Sequence, residues 1–142
     1  MVDPDQWTVV DRYHGVIFPK HTQIVVAACV ESIVSGKRLY LVSLHLKSGY
    51  ADMEDRRCRE FAKALKLVVT RFPQAVDSPL VVAGDLNSDF MQSQLIQAVL
   101  PTLRPPSFPK LKNAAAEANG IGATTPTYNY WHESVFDYIL IS

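Results

Sequence analysis

A chain of 142 residues, 48% hydrophobic and 20% charged, is long enough for one globular domain with one core, and it contains no run near the ~20 apolar residues that a membrane span requires. Its 14 basic and 14 acidic side chains cancel, so a polyanion would have to be held by a local cluster, and the balance neither supports nor excludes nucleic acid. Cys29 and Cys58 each lie in an element that reads as buried and read as core thiols of an intracellular protein, which argues against a disulfide framework; the start, Met1 to Trp7, has neither the basic nor the apolar part of a secretory signal.

The first β-rich runs are residues 23 to 34 (QIVVAACVESIV) and 38 to 46 (RLYLVSLHL), separated by Ser35, Gly36 and Lys37, and they predict an antiparallel hairpin. In the second run Tyr40, Val42, Leu44 and Leu46 share one face, and Leu39, Leu41, Ser43 and His45 share the other, which puts His45 at the strand's far end. From Asp52 the period changes. Cys58, Phe61, Ala62, Leu65, Val68, Val69 and Phe72 recur at spacings of three and four, predicting an amphipathic helix with Asp52 placed to cap its start and Pro73 to stop it. Arg56, Arg57 and Arg59 read as its solvated face, with phosphate contact as the other reading.

Leu80 to Gly84 reads as a buried strand, and strand, helix, strand implies an α/β architecture. A short helix is expected over Met91 to Leu100. Five prolines and two glycines between residues 101 and 126 predict an irregular excursion, and the chain closes on TYNYW and the buried strand VFDYILIS. No repeat or linker divides the chain, so residues 1–142 read as a single domain.

The apolar run at 80 to 84 ends on Asp85 and Asn87, which project together if the backbone stays extended. A carboxylate there can take a proton from water or bind a hard cation, and an amide can donate to a phosphate oxygen. His45 can donate to the same phosphate, and Lys47 is the nearest cation in sequence. Asp137 sits among Phe136, Tyr138, Ile139 and Leu140, a setting in which a carboxylate needs a partner. Tyr130 and Trp131 offer faces for stacking bases, although aromatic residues leading into a strand more often anchor a core. The plainer reading of Asp85 and Asn87 is a strand-to-loop turn.

LHLKSG at 44 to 49, GDLNS at 84 to 88 and FDYILIS at 136 to 142, in this order, resemble the endonuclease/exonuclease/phosphatase family of magnesium-dependent phosphodiesterases and phosphatases. The arginine-bearing helix and TYNYW lean towards its deadenylase and nocturnin-like branch. The resemblance covers residue 23 to the end and implies a partial αββα four-layer sandwich of the DNase-like type, with mixed, mostly antiparallel sheets flanked by helices. It implies that Asp85 positions the attacking water and is a candidate metal ligand, that Asn87 and His45 contact the phosphate, and that Asp137 orients a second histidine. Magnesium is the implied cofactor, with manganese as an alternative, and the implied partner is a nucleic acid or nucleotide phosphodiester.

The family's magnesium-binding glutamate, its further asparagine and its closing Ser-Asp-His have no counterpart here. The resemblance is therefore to the second half of such a domain. His45 is expected to lack a supporting acid, the fragment is expected to be inactive alone, and another chain or the missing part of the domain is expected to cover an exposed sheet face. The alternative is a non-catalytic descendant that serves as a binding or scaffold module.

Overall fold

A computed structural model describes residues 6–18, 23–49, 53–88, 112–113, 128–129, 133–134 and 137–141. In chain order the elements are β1 (Trp7–Val16), β2 (Ile24–Ser32), β3 (Arg38–His45), α1 (Glu54–Arg71), a short 3-10 helix (Pro73–Val76), β4 (Leu80–Asp85), β5 (Lys112–Asn113), β6 (Tyr128–Asn129), β7 (Glu133–Ser134) and β8 (Asp137–Ile141). A six-stranded sheet has the order β1-β2-β3-β4-β8-β5, and β6 pairs with β7 separately. Only β3 and β4 run parallel among these pairs; the rest are antiparallel. This is the mixed, mostly antiparallel α/β arrangement expected from the sequence.

The hairpin of β2 and β3 forms as predicted, with Cys29 opposite Tyr40 and Val25 opposite Leu44. Gly36 takes φ +66° in its turn, a left-handed conformation that glycine adopts without a Cβ penalty. β1 is an addition, because the sequence reading assigns no element before residue 23. It pairs along β2 from Trp7 opposite Ser32 to Val16 opposite Ile24, with an irregularity between Val9 and Asp11. Its alternation is masked by Asp11, Arg12 and His14, and much of it is exposed. Only neighbouring β2 makes it a strand.

Alternation decides which face of the sheet is covered. Tyr40, Val42, Leu44 of β3, Val25 and Ala27 of β2, Val82 of β4 and Leu140 of β8 are all buried against Phe61, Ala64, Leu65 and Val68 of α1. Phe72, at the helix end, packs at 5.5 Å from the Tyr40 ring and edge-on to Tyr13. Val16, Ile24, Val26 and Ile139, which register on the opposite face, are 45% to 56% exposed. One sheet face carries the described core; the other is open among the described residues.

α1 ends before Pro73 as predicted, but its N-cap is Met53 with no side-chain hydrogen bond, and Asp52 lies outside the described residues. Glu54 and Asp55 place negative charge in the first turn, where the helix dipole favours it. The buried stripe also differs from the expected one. It runs Arg57, Glu60, Phe61, Ala64, Leu65 and Val68, while Cys58, Ala62 and Val69 are half-buried. Two members are charged, so hydrophobicity alone cannot trace the stripe. Arg57 is thus no solvated residue, whereas Arg59 is exposed as expected.

The expected helix at 91 to 100 lies outside the described residues, and so does most of the 101 to 126 excursion; within the latter, Lys112 and Asn113 pair with β8. No helix among the described residues is long and apolar enough to cross a membrane.

Burial, with a smaller contribution from its hydrogen bond to Cys29, raises the Tyr40 phenol above its ordinary value. The unfolded phenol ionises near pH ~10 and the folded one only higher, so the neutral ring stabilises the fold fully below that pH. Stability is expected to fall as pH rises past that point. Urea melts of wild type and Tyr40→Phe between pH 8 and pH 11 check this, the variant losing less on the alkaline side.

Candidate active site

Parallel strands end at the same edge of a sheet, so the pairing of β3 with β4 brings the residues after both strands together. His45 closes β3 and Asp85 closes β4, and they are direct partners in register. Asp137, the first residue of β8, is the partner of Asp85 on the other side. His45, Asp85 and Asp137 therefore stand in one row across three adjacent strands. His45 Nε2 lies 3.5 Å from Asp85 Oδ2, with 73% of the histidine side chain exposed and 35% of the aspartate. The acid that His45 was expected to lack is thus supplied by its sheet neighbour.

Two close approaches hold this edge. At Gly84, φ +135°, a Cβ would stand 2.0 Å from the Leu44 carbonyl oxygen, so only glycine lets β4 lie this near β3. What the missing side chain admits here is the backbone of Leu44. The Leu46 N–H then donates to the Asp85 carbonyl at 2.9 Å, continuing the contact past the strand ends.

Asn87 does not continue the strand. Its φ is +51°, and its N–H donates to Asp85 Oδ1 at 2.8 Å, closing a turn on the carboxylate. Strand alternation is therefore not what unites Asp85 and Asn87, as the extended reading supposed; the Asp85 side chain unites them directly. Asn87 Nδ2 donates to the Leu46 carbonyl at 2.9 Å, which ties the amide to the chain leaving β3. Its other N–H is left for a further acceptor.

Behind these loops lies a set of charged groups that the sequence reading did not place in the site. Glu60, fully buried, accepts the Lys47 N–H at 2.8 Å and Arg56 Nε at 2.8 Å. Arg57, 3% exposed, donates from Nε to the Lys47 carbonyl at 2.9 Å, from Nη2 to the Gly49 carbonyl and from Nη1 to Glu54 at 3.0 Å. Glu54 in turn accepts the Ser88 hydroxyl at 3.1 Å. The signal available in sequence was two charges on the apolar period of a helix.

Lys47 lies two residues beyond the end of β3, and its described hydrogen bonds are through its peptide. A cavity of about 420 Å³ opens beside His45, lined by Gln23, Ile24, Val26, Ser43 and Ser48 among others. Tyr130 and Trp131 lie outside the described residues, and of Asp137 only the backbone register is described.

No cluster of three or more histidine, cysteine or acidic residues that could hold a metal occurs among the described residues. The donor set is one partly exposed carboxylate beside a carboxamide. That does not make a cage for a cation, but it suits a magnesium ion that keeps most of its waters and shares a substrate phosphate.

No family model and no curated protein matches the chain. Solved structures do. The human Nocturnin catalytic domain with bound sulfate aligns at a TM-score of 0.71 and 21% identity over 98% of this chain and 49% of its own. ANGEL2, a 2',3'-cyclic phosphatase in complex with adenosine-2',3'-vanadate, aligns at 0.69 and 15% over 98% and 57%. An endonuclease/exonuclease/phosphatase family protein from Bacteroides thetaiotaomicron aligns at 0.65 and 14% over 98% and 52%. The chain has the endonuclease/exonuclease/phosphatase fold, the α/β DNase-like fold. It spans about half the length of these structures.

Gly84→Ala is expected to cost about 3 kcal/mol or more, because the new Cβ meets a backbone oxygen at a positive φ and neither can yield cheaply. At Gly36, where φ is +66° and nothing lies within 4 Å, Gly36→Asn should cost under about 1 kcal/mol, since asparagine tolerates that conformation. Chemical denaturation of the two variants separates the effects.

Proposed function

We propose that this chain carries part of the active site of a magnesium-dependent phosphoester hydrolase acting on a nucleic acid or nucleotide phosphodiester. The observation that supports it most is the gathering of His45, Asp85 and Asn87 at one sheet edge, where the imidazole stands 3.5 Å from the Asp85 carboxylate, the Asn87 backbone N–H donates to that carboxylate and the Asn87 carboxamide donates to the Leu46 carbonyl. The fold agrees, and among the structures that share it are ANGEL2 bound to adenosine-2',3'-vanadate and D. rerio TDP2 complexed with a single-strand DNA product.

In this reading a water attacks phosphorus; its oxygen bonds to phosphorus, its proton passes to Asp85, and the ester bond to the leaving oxygen breaks. The free N–H of Asn87 donates to a non-bridging phosphate oxygen, and His45 donates to the phosphate or the leaving oxygen. The His45 pairing keeps the Asp85 carboxylate turned to the site edge. Magnesium, when bound, would be held by Asp85 and would neutralise charge building on the phosphate. Lys47 is assigned to substrate phosphate, and Tyr130 and Trp131 to substrate stacking. The site is completed by further polypeptide, including an acid and a histidine that pairs with Asp137.

Phosphodiesterase assays with magnesium on the endogenous polypeptide and on residues 1–142 test this. The longer protein is expected to turn over. Asp85→Ala should lower its kcat about 10²- to 10⁴-fold and Asn87→Ala about 10²- to 10³-fold, the usual scales for a proton-transfer group and an anion donor. Residues 1–142 alone should show negligible turnover. An intact full-length protein without metal-dependent hydrolysis would leave the non-catalytic reading standing.

The open sheet face, with Val16, Ile24, Val26 and Ile139 exposed, is assigned to the remaining half of the same domain, since proteins of this fold that match are about twice as long. Residues 1–142 should then self-associate and bind a hydrophobic dye, and the longer polypeptide should do neither. A monodisperse 142-residue chain with no dye binding would sink that assignment.

A further inference from the structure

We infer that Arg57 and Glu60 are positioning residues that set His45 and Asn87 from behind, an inference that rests on the hydrolase reading of the site. A single peptide, that of Lys47, is gripped at both polar ends: its N–H by the buried Glu60 carboxylate and its carbonyl by the buried Arg57 guanidinium. These side chains stand three residues apart on α1, hence on one face, and that face meets the loop after β3 at Lys47 and Gly49. Covering Phe61, Ala64 and Leu65 would need apolar neighbours only. Burying two charges there carries a desolvation cost that apolar residues would avoid, so its use must lie in what the charges hold.

What they hold leads to the site in two directions. On the β3 side, Lys47 follows Leu46, whose carbonyl accepts Asn87 Nδ2 and whose N–H donates to the Asp85 backbone, and Leu46 follows His45. On the β4 side, Arg57 pairs with Glu54, which takes the hydroxyl of Ser88, the residue after Asn87. Asn87 is in a left-handed conformation, which asparagine tolerates better than most residues. It is fixed by the Asp85 carboxylate before it, the Ser88–Glu54 contact after it and the Leu46 carbonyl at its side chain. Arg57 touches none of the reacting groups. It sets the angle at which the free N–H of Asn87 meets a phosphate, and misplacement there weakens attack without removing a contact to substrate.

The test pairs amide exchange by NMR with kinetics in magnesium, both on the full-length protein. Arg57→Met is compared with Arg57→Lys, which can reach one carbonyl but not fork to two, with the milder Glu60→Gln, and with Val68→Ala, a helix-core change that makes no contact with the loops. Compared at equal global stability, Arg57→Met should speed exchange of the Lys47 and Asn87 amides about tenfold or more, the scale of one lost charged hydrogen bond, and shift the His45 ring resonances. Val68→Ala should do neither, and Arg57→Lys should restore part of the protection. In turnover, Arg57→Met should lower kcat about 10- to 100-fold with KM within about twofold, as misorientation does.

Equal loosening by Arg57→Met and Val68→Ala would overturn the inference, and so would a hydrolysing protein whose kcat ignores Arg57 and Glu60. A wild-type protein that never hydrolyses, but whose Asn87 amides loosen only in the Arg57 and Glu60 variants, would defeat the hydrolase reading while leaving the positioning role intact. If Arg57→Met fails to fold, Glu60→Gln decides by the same readouts.

Discussion

The parallel contact of β3 with β4 at Leu44 and Gly84 is the constraint on which the site depends. A carbonyl oxygen stands where any other residue's Cβ would be, so the strands reach this spacing only because position 84 has no side chain. From that spacing follow the register of His45 with Asp85, the Leu46 to Asp85 hydrogen bond and the reach of the Asn87 amide back to Leu46. A wider gap would break each of these together. The geometry is set by the backbone first and by side-chain chemistry second.

α1 serves this edge as well as the core. Its lower turns bury Phe61, Ala64, Leu65 and Val68 on the covered sheet face, where apolar area gives the stabilisation. Its first turns bury Arg57 and Glu60, which contribute little to stability by burial and instead satisfy the backbone of the loop after β3. One helix thus joins hydrophobic packing at one end to polar positioning at the other. The half-covered sheet fits a chain that spans about half of the structures it resembles.

Much of this was legible in the sequence, for local reasons. Alternation in RLYLVSLHL gave the two faces of β3 and the position of His45 at its end, and Pro73 gave the helix stop. The three motifs gave the fold through their resemblance to the endonuclease/exonuclease/phosphatase family, and each falls at the end or start of a core strand. β1 was not legible, since Asp11, Arg12 and His14 interrupt its alternation, Gly15 is its one buried residue and its hydrogen bonds come from β2. The helix stripe was misjudged by two positions because Arg57 and Glu60 count as polar in any hydrophobic pattern.

Sequence by itself determined the hairpin, the helix and the strand that follows it, and the residue types gathered near GDLNS, since these follow from side-chain period and turn chemistry. Tertiary structure decided that Gly84 admits a neighbouring strand, that Asp85 faces His45, and that Asn87 turns back on the carboxylate. It also decided that two charges of α1 are buried behind the site. Each of these is a relation between segments far apart in the chain, and a relation of that kind exists only once the strands have paired.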